Sequence, residues 1–435
     1  MKVACIGNMN NIISPTAQYL AKMGHEVDLF LLYEYDHFEP KADYVDSNDM
    51  AFNIKKIDMA FAEVMQVPKK ELQKAFESYD FFVGTDYAPA LLARINKRLD
   101  YFAWAGTDLF DWPFYTSNYM LPHSWECDKA LTAKLQLEGI RNCRYLPMSL
   151  NNDFILNVVK KTGTKAKIIS PIPFIYYPYL PKIDSLSSPS INKVEELKNR
   201  TDMLLVQQGR QWWKTAPIKL SKGNDVFLKG VASFIKQRPE VKVGIVLFEY
   251  GADVQASKDL IHELGLTDSV IWIPTILRKE LLKILKLGDI GIGQFGEESW
   301  YLYCSNAEII ASEVAYLGYR DNKYCQEKKC EIYPMMNANT EDEIAASLLD
   351  FKDKPAKYKN QSKEAFMWLK KYNEERFLEN IKKAMNENKK NKISLSSHLS
   401  IKKRIVTNAF IKIANKLILL TKSKWLKQAI LERPA

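Results

Sequence analysis

The feature that most constrains the fold is an alternation of short apolar runs with helix-like segments, which stops and then starts again. Alternation at this spacing predicts parallel sheets covered by helices on both faces. Ser14 and Pro15 mark the start of the first helix as N-cap and first helical residue. In the first half the predicted strands are 2–6, 26–32, 80–83 and 101–104, and the predicted helices are 14–23 and 88–98.

The alternation breaks at ISPIPFIYYPYLPKIDSLSSPS (169–190), which holds five prolines and five serines and is typical of a linker. It then restarts, so the chain predicts two doubly wound Rossmann-like α/β domains that face each other across a cleft. In the second half the predicted strands are 203–206, 241–248, 270–273 and 289–293, and the predicted helices are 224–236, 257–264, 279–286 and 306–316.

The predicted boundaries give each segment a role. An N-terminal domain spans 1–180, a linker 181–200 and a second domain 201–356, and a long helix spans 357–388. That helix either crosses back to the first domain or lies on the surface of the second. The remaining residues, 389–435, form a basic tail.

The net charge of +10 is concentrated in this tail, whose 47 residues carry twelve Lys or Arg and one acid. The tail is therefore +11 and the preceding 388 residues are −1, which argues against a nucleic-acid-binding core. The first residues lack a signal peptide, and no run of 18 apolar residues occurs. Six scattered cysteines, of which only Cys325 and Cys330 are close, predict reduced thiols without a zinc site. A cytoplasmic protein is expected.

Two positive charges mark the end of the strand 203–206 and the start of the next helix. Arg210 follows the strand, and Lys222 and Gly223 precede the helix, where open α/β sheets hold anionic ligands. An Arg suits a bidentate contact to a diphosphate, and a Lys supplies a point charge. An ordinary solvated basic loop is the alternative.

Two further segments of the second half fit the same ligand. Ser305 and Asn306 are predicted to cap a helix, with Glu308 in its first turn. A carboxylate there either accepts hydrogen bonds from the two hydroxyls of a ribose or merely complements the helix dipole. The loop Pro274–Thr275–Ile276 follows a strand and offers backbone groups to a flat base.

Taken in order, these segments resemble a known family. The order GR…KG…LGLTDSVIWIPTILRKEL…LGDIGIGQFG…NAEIIA resembles the nucleotide-sugar-binding half of retaining glycosyltransferases of family 4, which have the GT-B fold. LAKMGHEVDLFLL, YDFFVGTDYAPALLARI, YFAWAGTDLF and SPIPFI resemble elements of the first half and of the interdomain segment. The resemblance covers roughly residues 1–385.

The resemblance implies a role for each candidate. The donor's diphosphate would be held by Arg210 and Lys222, together with Ser305 and Asn306. The ribose would be held by Glu308, which matches the last acid of the family's Glu-x7-Glu element. Such enzymes need neither metal nor cofactor, because cationic side chains and helix amino ends stabilise the leaving diphosphate. The family retains anomeric configuration, for which attack on the front face of the sugar is the usual proposal. Thr107 and Asp108 match the segment with catalytic residues in the first domain.

The sequence departs from this family pattern at three places. Twelve positions separate Arg210 from Lys222, so Lys214 or Lys219 in the insertion is an alternative phosphate contact. The first acid of Glu-x7-Glu falls on Trp300, so either Glu297 or Glu298 substitutes and contacts the sugar, or the donor's sugar is recognised differently. Ala105 stands where the family often has a His.

These departures leave two alternatives to a transferase open. One is a nucleotide-sugar epimerase of the same fold, for which His123 beside Glu126 is the candidate, and the other is a binding scaffold without turnover.

The tail carries an apolar stripe flanked by lysines. Val406, Phe410, Ile413, Leu417 and Leu420 fall on one side of a helix with Lys412 and Lys416 beside them. A basic amphipathic helix of this kind predicts adsorption to an anionic membrane surface, and a partner helix in a complex is the alternative. With the resemblance, it suggests a transferase on the inner face of the membrane that acts on a lipid-linked glycan acceptor.

Overall fold

The computed structural model describes residues 1–32, 39–57, 59–117, 124–148, 153–169, 172–217, 220–296 and 304–390. Within these ranges the first domain has seven strands, β1 (Lys2–Ile6), β2 (Glu26–Leu31), β3 (Asn53–Lys56), β4 (Phe81–Gly84), β5 (Tyr101–Phe102), β6 (Tyr145–Pro147) and β7 (Lys167–Ile169). Its helices are α1 (Ile13–Lys22), α2 (Lys69–Phe76), α3 (Ala88–Arg94), α4 (Thr107–Phe110), α5 (Trp125–Asn142) and α6 (Asp153–Thr162).

In the described residues, the second domain starts with a helix and contains six strands. Its helices are α7 (Pro189–Asn199), α8 (Asn224–Gln237), α9 (Val254–Glu263), α10 (Arg278–Leu287), α11 (Cys304–Ala311), α12 (Asn322–Glu327) and α13 (Glu341–Asp353). Its strands are β8 (Met203–Gln207), β9 (Val243–Phe248), β10 (Val270–Ile273), β11 (Ile290–Ile292), β12 (Ala315–Gly318) and β13 (Met336–Asn337).

Both sheets are parallel and doubly wound. The first has the order β3-β2-β1-β4-β5-β6-β7 and the second β10-β9-β8-β11-β12-β13. The central strands are apolar along their length because helices cover both faces, as in β1, whose last four residues are buried. The predicted fold class of two Rossmann-like domains is therefore confirmed.

The predicted linker 181–200 is largely helical. Tyr177–Ser185 forms a 3-10 helix, and the hydroxyl of Ser188 accepts a hydrogen bond from the Ile191 amide to start α7. Ser188 and Pro189, which look like linker residues, thus act as N-cap and first residue of a helix. The helix buries Val194 and Leu197 in the hydrophobic core.

Two predicted helix boundaries are wrong for reasons that the side chains show. The amide oxygen of Asn8 accepts bonds from Ile13 N (3.2 Å) and Ser14 N (2.8 Å), so Asn8 caps α1 and Ser14 lies inside it. The helix predicted over 306–316 is shorter in the structure, because α11 ends at Ala311. Glu313 then takes a left-handed φ of 56°, and strand β12 begins at Ala315.

The segment predicted as a crossing helix forms three consecutive helical pieces. They are α14 (Pro355–Leu369), a π-helix over Lys370–Glu375, and α15 (Arg376–Lys390). In the π-helix, Asn373 donates to Ile172 O (2.8 Å) and accepts from Phe174 N (3.0 Å), and Glu374 accepts from Tyr19 OH (2.6 Å). The π-helical turn thereby fixes the C-terminal helices to the first domain and its exit segment.

The remainder of the tail, 391–435, lies outside the described residues. Within the described ranges, no helix is both long and apolar enough to cross a membrane.

Candidate functional site

The topology places the candidate residues at equivalent points of the two sheets. The strand order reverses between β1 and β4 in the first sheet and between β8 and β11 in the second. Loops that leave the carboxyl ends of strands at such a reversal form the ligand crevice of doubly wound sheets. The candidate site is therefore built from the loops after β1, β4, β8 and β11.

The insertion between Arg210 and Lys222 folds back on itself. The amide of Lys222 donates to the Trp212 carbonyl (2.9 Å), and the guanidinium of Arg210 lies 5.6 Å from the centre of the Trp212 ring. Although they are twelve positions apart in sequence, both residues therefore contact Trp212, Arg210 through its guanidinium and Lys222 through its backbone amide. Arg210 is exposed, and Lys222 is half-buried with its Nζ 3.2 Å from Gln294 Oε1 on the loop after β11.

Asp253 orders the described part of the insertion. Its carboxylate accepts bonds from the amides of Trp213 (2.7 Å), Lys214 (2.8 Å) and Thr215 (3.0 Å). Burial alone would raise the pKa of Asp253, but these amides hold it below its ordinary value. The Lys214 side chain is exposed, and Lys219 lies outside the described residues.

Gly223 allows the start of α8 to pack against the loop after β11. Its φ is +63°, and a Cβ there would lie 2.6 Å from the Cβ of Phe295 and 2.7 Å from its carbonyl oxygen. The amide of Phe295 donates to Lys222 O (3.2 Å). The first residue of α8, Asn224, is buried and accepts from Trp212 N (3.2 Å). The amino end of α8, with Lys222 and Arg210 beside it, is chemically suited to a diphosphate.

Glu308 lies at the cleft in an ion pair that the sequence analysis did not anticipate. Its Oε1 is 2.7 Å from Arg278 Nε, and its side chain is 12% exposed. Burial raises the pKa of Glu308, while Arg278 and the Gln208 amide act in the opposite direction. Ribose binding by Glu308 stays a prediction, and Arg278 would share the carboxylate with the ribose.

Ser305 and Asn306 are the second and third residues of α11 and not its caps, so that prediction is wrong. The Ser305 carbonyl accepts a bond from the Gln208 side chain. Asn306 is 1% exposed, beside Tyr333. This burial does not favour a diphosphate contact by the Asn306 side chain.

The remaining predicted donor residues are only partly described. Pro274 and Thr275 are exposed after β10, and Ile276 is half-buried against the core. Their contact with a base stays a prediction. Glu297, Glu298 and Trp300 fall outside the described residues, as does His123.

Asp108 is buried completely and organises two loops of the first domain. It accepts bonds from the amides of Gly106 (2.8 Å), Ala105 (2.9 Å) and Asp86 (3.1 Å), and from the Thr85 hydroxyl (3.2 Å). Burial raises the pKa of Asp108 to about 6 against the effect of these donors. The geometry supports a structural role, and catalysis by Asp108 stays a prediction that this burial does not favour. Thr107 is exposed as the first residue of α4.

The sequence analysis also missed Asp43, which lies 3.6 Å from Arg278 Nη1 and comes from the first domain. Burial raises the pKa of Asp43 to about 6, against the opposing effect of Arg278. A signal for Arg278 was present in the sequence. Arg278 directly precedes the predicted helix 279–286, and a cation at the amino end of a helix is unfavourable unless a nearby anion compensates for it.

In the described part of the chain, no group of three or more His, Cys, Asp or Glu residues is arranged to hold a metal ion. The expected absence of metal and cofactor stays a prediction. All six cysteines are free.

Comparisons with known proteins give a fold and no sequence family. No protein-family model matches the chain, and no curated protein matches it. Solved structures match over almost the whole chain. HepE of Anabaena in complex with UDP and glucose aligns with a TM-score of 0.56 and 13% identity, over 89% of this chain and all of HepE.

Two further structures agree. A UDP-forming trehalose-phosphate synthase from Burkholderia xenovorans has a TM-score of 0.57 and 11% identity, over 88% of this chain and 98% of its own. A Listeria monocytogenes protein provisionally assigned as a UDP-N-acetylglucosamine 2-epimerase has a TM-score of 0.54 and 15% identity, over 89% of this chain and 97% of its own. The chain thus has the GT-B fold.

Proposed function

We propose that the protein is a glycosyltransferase that moves a sugar from a nucleoside diphosphate donor, uridine diphosphate first among them, to a glycan acceptor. The observation that carries the proposal is the folded-back loop after β8. It brings Arg210, Lys222 and the amino end of α8 to one edge of the second sheet, where a diphosphate would find three sources of positive potential. UDP in the HepE complex supports uridine as the base.

In this proposal, the second domain binds the donor. Lys222, Arg210 and the α8 amides neutralise the diphosphate as it leaves the anomeric carbon, so the reaction needs no metal. The carboxylate of Glu308 accepts hydrogen bonds from the ribose hydroxyls, and the backbone of residues 274–276 contacts the base. The acceptor hydroxyl enters from the first domain on the same face of the sugar, so the anomeric configuration is retained. Its oxygen bonds to the anomeric carbon as the bond to the diphosphate breaks, and its proton passes to the leaving diphosphate. Glu298 remains the candidate for the donor's sugar hydroxyls.

The test is thermal unfolding of the purified protein in the presence of UDP, GDP, CDP and ADP, each also as a sugar conjugate. A ligand at about 100 times its dissociation constant stabilises the native state by ~2.7 kcal/mol, which raises the melting temperature measurably. We expect UDP and one UDP-sugar to do so, followed by transfer when acceptor is added. A protein that melts at the same temperature with every nucleotide would contradict the proposal.

The Listeria structure favours an epimerase as the second candidate, because its provisional assignment is a 2-epimerase of the same fold. An epimerase converts its UDP-sugar without an acceptor, and a transferase requires one. Incubation with UDP-sugars alone, followed by analysis of the sugar, separates the two. His123→Ala would abolish turnover only in the epimerase.

We further propose that the tail adsorbs to anionic lipid on the inner face of the cell membrane and that the acceptor is a lipid-linked glycan of a surface polysaccharide or lipopolysaccharide. Each basic residue near an anionic surface contributes ~1 kcal/mol, and the tail carries a net +11. The position of α15 supports this, because Tyr145 on β6 of the first domain donates its hydroxyl hydrogen bond to Glu387 of α15. The tail therefore starts on the proposed acceptor side.

Cosedimentation with vesicles of neutral and anionic lipid tests the tail. We expect the full chain to bind anionic vesicles at least tenfold more tightly than protein 1–388, and to lose this advantage in high salt. Equal sedimentation of both proteins would remove the membrane proposal and leave the transferase proposal intact.

A further inference from the structure

Arg278 connects the two domains at the base of the cleft. Its Nε lies 2.7 Å from Glu308 Oε1 in its own domain. Its Nη1 donates to the Asn11 carbonyl (3.2 Å) and lies 3.6 Å from Asp43 Oδ1 in the first domain. All three charged side chains are at most 12% exposed. One guanidinium thus contacts both the proposed ribose carboxylate and the loop after β1.

This is an unfavourable place for an arginine that only supports the fold. As the first residue of α10, Arg278 opposes the helix dipole, and a guanidinium that is 7% exposed has lost most of its hydration. Among the described residues, neither its Nη2 nor its Nε has a hydrogen-bond partner of good geometry, so the Nε contact with Glu308 is an ion pair. The two carboxylates are what offset the burial of its charge.

We propose that Arg278 is a positioning residue for the donor's ribose: it keeps Glu308 charged and oriented, and it links that carboxylate to the first domain. This inference rests on the proposed function, because it assumes that Glu308 receives a ribose. Donor binding and closure of the two domains would then depend on the same guanidinium.

The ionisation state of Glu308 is the means by which Arg278 acts. Burial raises the pKa of Glu308, and the positive charge of Arg278 works against that rise. An ionised carboxylate accepts a hydrogen bond at each oxygen and so receives both ribose hydroxyls, whereas the protonated acid is itself a donor. Without Arg278 the buried acid would favour its neutral form.

The discriminating measurement compares the affinities for UDP and for 2′,3′-dideoxy-UDP. Hydrogen bonds from the ribose hydroxyls to a charged acceptor should make wild type prefer UDP by ~10- to 100-fold. In Arg278→Met we expect this preference to fall below about threefold, with dideoxy-UDP bound nearly as in wild type. Arg278→Lys restores part of the preference because it restores the charge. The double variant Arg278→Met, Glu308→Gln should lose no more of the preference for UDP than either single variant.

Lys279→Met is the matched control, because Lys279 Nζ donates to the Tyr44 carbonyl (2.8 Å) and so also joins the two domains. It should keep the full preference for UDP. An unchanged preference in Arg278→Met, or an equal loss in Lys279→Met, would overturn the inference. A wild type that binds UDP without any preference would remove the ribose role of Glu308 and the inference with it. A wild type that binds neither nucleotide would instead refute the proposed function.

Discussion

Gly223→Ala should abolish measurable donor binding and lower the free energy of unfolding by about 2–4 kcal/mol. The φ of +63° at Gly223 is strained for any residue with a Cβ, at a cost of about 1 kcal/mol. The added methyl group would also meet Phe295 at 2.6 Å, so the loops after β8 and β11 must separate. Because that contact positions Lys222 and the start of α8, the diphosphate site would be lost with it.

Gly265→Ala separates the clash from the backbone strain. Gly265 has a φ of +69°, and a Cβ there has no heavy atom within 4 Å. It should lose about 1 kcal/mol of stability and keep normal UDP affinity. Calorimetric titration with UDP and thermal unfolding measure both variants. Normal UDP binding by Gly223→Ala would contradict the proposed position of the diphosphate.

Lys222→Ala should lower kcat/KM about 10²–10³-fold while the protein stays folded. A cation that contacts the leaving diphosphate stabilises charge that develops in the transition state, and single donors of this kind contribute factors of this size. The stability cost should be under about 1 kcal/mol, because the half-buried Nζ donates to the neutral side chain of Gln294. Initial rates with a UDP-sugar and acceptor give the comparison.

Lys229→Ala is the control for this experiment, since Lys229 lies on α8, the helix that Lys222 precedes, and pairs with Glu341 (3.2 Å). We expect its kinetic constants to equal those of wild type. Full activity in Lys222→Ala together with a large loss in Lys214→Ala would move the phosphate contact into the insertion.

The sequence predicts β1, β2, β4, β5 and β8–β11 because these strands are apolar runs bounded by turn residues, and it misses the shorter strands β3, β6, β7, β12 and β13. The segment 270–273, for example, is predicted with the bounds that β10 has in the structure. Boundaries fail where a distant or unexpected side chain decides them. Asn8 caps α1 from five and six residues away, and Ser188 starts a helix inside an apparent linker.

The candidate site is less predictable because backbone contacts and burial decide it. The bond from the Lys222 amide to the Trp212 carbonyl removes the apparent separation of Arg210 and Lys222, and no side-chain pattern announces it. Asp108 belongs to the second of two Gly-Thr-Asp segments, at 84–86 and 106–108. The structure joins these segments through the Asp108 carboxylate, so its burial depends on the fold and not on the motif.

The central claim is that Arg210, Lys222 and the amino end of α8 bind a nucleoside diphosphate, and titration calorimetry with UDP tests it most directly. The account predicts one UDP site per chain in wild type. It predicts affinity at least tenfold lower in Arg210→Ala and in Lys222→Ala, and unchanged affinity in Lys229→Ala. Equal affinity in all four proteins would place the nucleotide elsewhere. No heat of binding with UDP, GDP, CDP or ADP would contradict the claim outright.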